Sequence, residues 1–159
     1  MSNMATMEKR LEELGITLPA PLGPSPLAEH AAVKRAGDLL FVSGVGPIEN
    51  GKPAITGRLV RDMKHEDGYA AARLAALNIL SMMQKELGSL DQIEEVVGLT
   101  GYVACDDDFY DQHMILNGAS HLLNDVFGDK GCHVCTAVGV NALPFNVPVI
   151  VDAIVRIRP

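Results

Sequence analysis

Residues 131–158 read GCHVCTAVGVNALPFNVPVIVDAIVRIR, and the rest of the chain can be placed around them. Two segments rich in β-branched residues flank Leu143-Pro144-Phe145-Asn146, which predicts two strands joined by a corner. Side chains alternate along a strand, so each predicted strand presents two faces of its own composition. The faces therefore indicate what the sheet packs against.

The two faces of the first strand differ in size and polarity. One face, which we expect in the core, carries Cys132, Val134, Thr136, Val138 and Val140. The other is small and polar and carries His133, Cys135, Ala137, Gly139 and Asn141.

The second strand also has one apolar face and one mixed face. The mixed face carries Ile150, Asp152 and Ile154, and is too apolar to be exposed only to water. We expect helices on the apolar side and another subunit against the mixed side. In this prediction Cys135, Ala137 and Gly139 join the mixed side.

Length and charge limit the classes of protein to consider. A chain of 159 residues is long enough for one domain with a substantial core. A net charge of −7 opposes nucleic-acid binding, which needs clustered Lys and Arg. No nucleic-acid partner is expected.

The cysteines and the hydropathy pattern indicate a compartment. Cys105, Cys132 and Cys135 are an odd number, which predicts free thiols in a reducing, cytoplasmic environment. The first ten residues lack the apolar run of a signal peptide, and no stretch approaches the roughly 20 apolar residues of a membrane span. Neither export nor a membrane partner is expected.

The remaining elements follow from periodicity, glycines and prolines. We predict a short helix over Met7–Leu14, followed by a proline-rich arm, so that residues 1–25 form an N-terminal extension. Beyond it we predict strands over Ala31–Arg35, Leu39–Ser43 and Arg58–Val60, a helix over Glu66–Leu87, a strand over Val96–Ala104 and a helix over Phe109–Phe127. This order predicts an α+β fold with both long helices on one face of a mixed sheet.

Two clusters invite a metal-site interpretation that their spacing opposes. Asp106-Asp107-Asp108 lacks the glycine and later glutamate of a calcium loop and is expected to cap the second long helix. Cys132-His133-Val134-Cys135 has no second ligand pair, and alternation places its cysteines on opposite faces. We expect no metal and no cofactor.

Three motifs resemble the Rid/YjgF family of reactive-intermediate deaminases. They are Phe41-Val42-Ser43-Gly44, Asn117-Gly118-Ala119-Ser120 and Ala137-Val138-Gly139-Val140-Asn141-Ala142-Leu143-Pro144. The resemblance runs from about Pro26 to Ile157, and residues 8–19 are similar to an N-terminal extension in one branch of the family. It implies a chorismate-mutase-like domain over residues 26–159, a homotrimer, and a small-molecule cleft between each pair of subunits.

The family chemistry is altered at two positions. Its deaminases hydrolyse imines and enamines with an Arg that holds the substrate carboxylate and a Glu that helps to position water. The matching positions hold Cys135 and Ile150, and neither can supply the lost charge. The usual deaminase activity is therefore expected to be weak or absent.

Other cleft positions follow from the same resemblance. Ser43, Gly44 and Asn117 match family positions, and His30 stands approximately where a Tyr is frequent. His133, Ala137, Phe145 and Asp152 are expected neighbours in the cleft. Each has a plainer alternative as a surface, corner or core residue, and Asp152 could instead pair with Arg156.

Three functions remain open at this point. The protein binds a small metabolite, or it is a deaminase or another enzyme that uses Cys135 and Asn117, or, least favoured, it is an endoribonuclease. Cys135 separates the first two hypotheses, because a nucleophile next to His133 would have a lowered pKa whereas a core filler would be inert.

Overall fold

A computed structural model of the chain describes residues 6–23 and 29–159. It confirms a mixed α+β fold, in which helices cover one face of a five-stranded sheet. The helices are α1 (Thr6–Glu13), α2 (His65–Leu87) and α3 (Gln112–Phe127). The strands are β1 (Val33–Ala36), β2 (Leu39–Val45), β3 (Ile48–Glu49), β4 (Lys52–Pro53), β5 (Ile93–Ala104), β6 (Val134–Val140) and β7 (Val149–Ile157).

The main sheet has the order β1-β2-β7-β5-β6, and β3 and β4 form a separate two-stranded hairpin. Only β5 and β6 run parallel, whereas β7 pairs antiparallel with β2 and β5. The two strands of residues 131–158 are therefore not neighbours, because β5 lies between them. The predicted corner is a short 3₁₀ turn over Pro144–Asn146 that leads from the sheet edge to its centre.

α2 was predicted closely because its apolar positions recur every three or four residues. α2 buries Ala72, Ala76, Ile79 and Met83 against the sheet and α3, and Gly88 with a φ of 82° follows it. The two helices touch at Gly118, where an added Cβ would lie 2.0 Å from the Tyr69 backbone oxygen. No helix in the described ranges is long and apolar enough to span a membrane.

Hydrogen bonds in both directions hold α1 against the turn that precedes β5. The Asp91 carboxylate accepts hydrogen bonds from the backbone N–H groups of Thr6 and Met7, both at 2.8 Å. In return, the Glu8 carboxylate accepts from the Leu90 N–H at 3.2 Å and from the Ser89 hydroxyl. Leu11 is only 5% exposed, so α1 packs into the core as well.

The predicted faces of β6 were wrong. Cys135 stands opposite the buried Leu99, and Ala137 stands opposite Gly101, so Cys135, Ala137 and Gly139 point towards the helices. The side expected in the core is open, and Val134 is 75% exposed there. Alternation separated the faces correctly, but which face met the helices depended on the register with β5, which local sequence does not encode.

Two local predictions also failed. Arg58–Val60 makes isolated bridges instead of a strand, because Val60 has a φ of 78° and turns the chain. α3 begins at Gln112, after an N-cap residue, Asp111, that makes no side-chain cap. Asp106 lies well before this N-cap and so does not cap the helix, and its carboxylate is 3.6 Å from Arg58.

Candidate functional site

A cavity of about 370 Å³ lies between β2 and the segment that joins β6 to β7. We call it the β2–β7 cavity. It brings together four residues predicted for the cleft, which are His30, Gly44, Phe145 and Ile150. The other lining residues are Leu22, Val45, Gly46, Ile48, Pro144 and Val147.

Glycine at position 44 makes room for Ile150. A Cβ added to Gly44 would lie 2.8 Å from Cγ2 of Ile150, closer than real Cβ atoms approach a neighbour. The backbone after Gly44 is held in place by the fully buried Asn78 of α2. The Asn78 side-chain amide donates to the carbonyls of Gly46 at 3.1 Å and Ile48 at 2.9 Å. The wall of the cavity is therefore narrow and anchored.

Phe145 lines the cavity in a conformation that a large side chain rarely adopts. Its φ and ψ are 59° and 18°, and 69% of its surface is exposed. The Gly57 N–H donates to the Asn146 carbonyl at 2.8 Å, and the Asn146 N–H donates to the Leu143 carbonyl at 3.1 Å. These bonds hold an exposed aromatic ring in a left-handed turn, a combination that recurs at ligand sites.

The lining of the β2–β7 cavity limits the chemistry it can support. His30 is the one titratable group among its described lining residues. Ile150 stands where the family Glu was expected, and none of the described residues that line the cavity carries a guanidinium or a carboxylate. A ligand carboxylate would therefore find no ion-pair partner among them.

The remaining predicted residues lie elsewhere in the chain. Ser43 precedes the lining residue Gly44 but is not itself a lining residue of the cavity. Its hydroxyl donates to the Ala31 carbonyl at 2.8 Å. Cys135, Ala137 and Asn117 belong to β6 and α3, and two strands separate β6 from β2. At roughly 4.8 Å per strand this is about 14 Å, so one chain does not unite the two groups.

Ser120 of α3 and His133, just before β6, form a hydrogen-bonded pair near Cys135. The His133 Nδ1 lies 2.5 Å from the Gly131 carbonyl oxygen, and its Nε2 lies 2.9 Å from the Ser120 Oγ. The Cys135 thiol lies near enough to Ser120 for the hydroxyl to lower the pKa of the thiol. Asn117 is half-buried one helical turn before Ser120.

The electrostatics around Cys135 oppose a resting thiolate. Burial raises the pKa of the Cys135 thiol, and the nearby Ser120 hydroxyl offsets only part of that rise. The neighbouring His133 therefore does not produce the lowered pKa that an ion-pair nucleophile would show. The sequence analysis named Ser120 only as the last residue of the Asn117-Gly118-Ala119-Ser120 motif. The available signal was a hydroxyl among the apolar residues of α3 that face the sheet.

Asp152 lies on the sheet face that no helix covers. Burial raises the pKa of its carboxyl, and hydrogen bonds from the backbone and side chain of Thr100 oppose the rise. The alternative pairing with Arg156 was wrong, because Arg156 binds Glu95 at 3.2 Å. Asp152 and Thr100 are register partners, and Thr136 follows Thr100 in the next strand, which makes a short polar row.

A second, more polar cavity of about 470 Å³ lies beside the first turn of α3. Its carboxylates come from Asp106 and Asp107, and Asp106 is already 3.6 Å from Arg58 and 3.8 Å from Arg61. Within the part of the chain that the structure describes, no group of three or more His, Cys, Asp or Glu could hold a metal ion.

Comparisons with known proteins agree on one family. The profile of the family described as "YjgF/chorismate_mutase-like, putative endoribonuclease" matches residues 8–156. Protein TCP17 of Trypanosoma cruzi is 40% identical over 149 residues, which make up 93% of this chain and 92% of that protein.

Two solved structures support the same relationship. The crystal structure of Atu1372 from Agrobacterium tumefaciens, a protein with unknown function, is 44% identical with a TM-score of 0.87, over 96% of this chain and 94% of that one. A structure from Shewanella oneidensis, called a "putative endoribonuclease", is 29% identical with a TM-score of 0.90, over 95% of this chain and 99% of that one.

Proposed function

Since the chain belongs to the YjgF/chorismate-mutase-like family, we propose that it is a homotrimer that binds a small, uncharged metabolite in clefts between its subunits. The standard imine and enamine deaminase activity is weak or lost in this proposal. The β2–β7 cavity supplies one wall of each cleft. The β6 edge of the neighbouring subunit supplies the other.

The apolar lining of the β2–β7 cavity carries the proposal. Ile150 and Phe145 offer surface for a flat apolar ligand, and His30 offers one hydrogen bond. Hydrolysis of an imine needs a group that moves a proton at the reacting carbon, and a carboxylate substrate needs a cation. The described lining offers no fixed cation for a carboxylate and only His30 for proton transfer, so binding is favoured over deamination.

The intersubunit arrangement is supported by the open face of the sheet. Phe41, Val134 and Val138 are 40%, 75% and 37% exposed on that face. An apolar sheet surface of this kind marks an interface between proteins. A second copy placed there would also bring a β6 edge towards a β2–β7 cavity, which one chain cannot do by itself.

The other functions have less support. An enzyme that uses Cys135 stays an alternative, and Asn117 has no assigned role in it. The word endoribonuclease appears in the family description and in the name of the Shewanella oneidensis structure, but a net charge of −7 gives this chain little attraction for RNA. It stays the least favoured function.

Ligand charge gives the decisive test of the proposed function. Indole is a small, flat, uncharged probe, and indole-3-acetate adds only a carboxylate arm. We expect calorimetry to show that indole binds and that indole-3-acetate binds at least tenfold more weakly, which is 1.4 kcal/mol or more. We also expect no turnover of 2-aminoacrylate, and efficient turnover would contradict the proposal.

A glycine variant locates the binding to the β2–β7 cavity. Gly44→Ala places a methyl group against Ile150 and should lower the indole affinity by about tenfold. Gly23→Ala is the matched control, because a Cβ at Gly23 meets no atom within 4 Å. Equal indole affinities in the two variants would place the binding site elsewhere.

A further inference from the structure

The turn that carries Phe145 has two consecutive residues in the left-handed region of backbone conformation. Phe145 and Asn146 both have a φ of 59°. The Val147 N–H closes the turn by donating to the Pro144 carbonyl at 3.3 Å. Glycine, asparagine and aspartate dominate turns with a positive φ at both central residues. Asn146 fits this preference and Phe145 does not, so the backbone at Phe145 is strained.

Hydrogen bonds from a neighbouring loop hold the turn in this conformation. The Gly57 N–H donates to the Asn146 carbonyl at 2.8 Å. The loop is itself closed next to Gly57, because the Arg58 N–H donates to the Asp62 carboxylate at 2.8 Å. All of these bonds involve backbone atoms of the turn. They would form with a residue at position 145 that favours the left-handed region, so the fold does not require a phenyl ring there.

The Phe145 ring contributes little to the interior of the chain. It is 69% exposed and does not belong to the hydrophobic core of the described residues. The aromatic ring contacts within the described ranges are His65 with Phe109 and Tyr69 with His121, so Phe145 stacks on no ring of its own chain. Backbone strain that packing does not explain is typical of functional sites.

We propose that Phe145 makes the β2–β7 cavity select planar aromatic ligands, and that the chain gives up stability to hold the ring there. This inference rests on the proposed function and names the class of its ligand. Apart from His30, the other described lining residues are aliphatic, proline or glycine. An aromatic ring prefers offset-stacked or edge-to-face contact with another ring, which a saturated ring of the same size cannot make. The Phe145 ring therefore distinguishes planar from puckered ligands.

Phenol and cyclohexanol test this selectivity, because each has one six-membered ring and one hydroxyl and is uncharged at neutral pH. We expect calorimetry to show that the wild type binds phenol at least about threefold more tightly than cyclohexanol. Phe145→Tyr keeps an aromatic ring and should keep this preference. Phe145→Leu keeps an apolar side chain without an aromatic face and should bind the two probes about equally.

Two further variants separate the ring from the strain. Phe145→Asn and Phe145→Ala both remove the ring and should both lower the phenol affinity at least about threefold. Asparagine tolerates the left-handed region better than alanine does. We therefore expect the Tm of Phe145→Asn to lie about 3 °C or more above that of the wild type, and the Tm of Phe145→Ala to show no such rise. A residue with a merely structural role would not combine weaker binding with higher stability.

The possible failures of this inference can be told apart from failure of the proposed function. Equal phenol-to-cyclohexanol ratios in the wild type and Phe145→Leu would overturn selection by the ring. A Tm of Phe145→Asn at or below the wild-type value would overturn the cost in stability. A smaller mass for Phe145→Asn than for the wild type in light scattering would assign the ring to a subunit contact instead. A wild type that prefers indole to indole-3-acetate but does not distinguish phenol from cyclohexanol would contradict this inference alone.

Discussion

Single side chains decide what each half of this molecule can do. Ile150 gives the β2–β7 cavity an apolar wall, whereas Ser120 hydrogen-bonds to an imidazole next to the edge strand β6. Both effects depend on one or two atoms that composition and charge do not reveal. Asp152 gives the clearest residue-scale effect on stability.

Asp152→Asn should stabilise the protein at neutral pH. Burial raises the folded-state pKa of Asp152 above its ordinary value of 3.8, so folding favours the protonated carboxyl. This contribution to stability is fully present below pH 3.8 and is lost as the pH rises through the raised pKa. Asparagine stays uncharged and can still accept from Thr100.

The measurement is thermal unfolding of both proteins over the acidic and neutral range. We expect a higher Tm for Asp152→Asn at pH 7, with the two curves converging as the pH approaches 3.8. Asp107→Asn removes an exposed carboxylate and controls for net charge. Parallel curves for wild type and Asp152→Asn would show that burial of this carboxyl does not affect folding.

At the scale of elements, the caps exchanged between α1 and the turn before β5 bind the start of the described chain to its middle. Asp91→Ala removes two hydrogen bonds to the first amides of α1 and should cost about 1 kcal/mol, as lost helix caps do. Amide exchange over residues 6–10 should accelerate more than exchange in α2. Asp125→Ala is the control, since only the backbone oxygen of Asp125 contacts α1.

If Asp91→Ala and Asp125→Ala showed the same exchange over α1, the packing of Leu11 alone would hold the helix. The hydrophobic contact and the caps would then be separable contributions. The comparison therefore measures how much of the docking is polar.

Elements with strong periodicity were predictable from sequence, and those fixed by distant partners were not. α2 matched its expected bounds within one residue because its buried positions repeat with the helical period. The start of α3 was misplaced because the helix begins after Asp111 and not after the three aspartates, of which Asp106 faces Arg58. The direction of the β6 faces was wrong because it depends on pairing with β5.

The candidate site divides in the same way. Family resemblance grouped His30, Gly44, Phe145 and Ile150 correctly in one cavity. It could not show that Ser120 hydrogen-bonds to His133, since that contact joins a helix to the residue before an edge strand. Side-chain contacts between elements depend on register and helix rotation, which local patterns leave open.

For the whole molecule, we expect the uncovered sheet face to form the subunit interface. Val138→Glu places a charge within that apolar face and should convert trimers to monomers in light scattering. Met114→Glu is the control, because Met114 is 50% exposed but lies on α3. A monomeric wild type at micromolar concentration would contradict the trimer itself.

The position of β7 between β2 and β5 has a consequence for synthesis on the ribosome. The hairpin of β1 and β2 emerges early, yet its inner neighbour in the sheet is the last of the seven strands to be translated. At about 5–20 residues per second, roughly a hundred residues of intervening chain take several seconds or longer to appear. Until β7 emerges, one edge of β2 and, once it is translated, one edge of β5 lack a partner, and nascent chains on neighbouring ribosomes could pair with them. A sheet completed by its last strand therefore exposes this chain to intermolecular strand pairing during translation in a way that its finished form does not reveal.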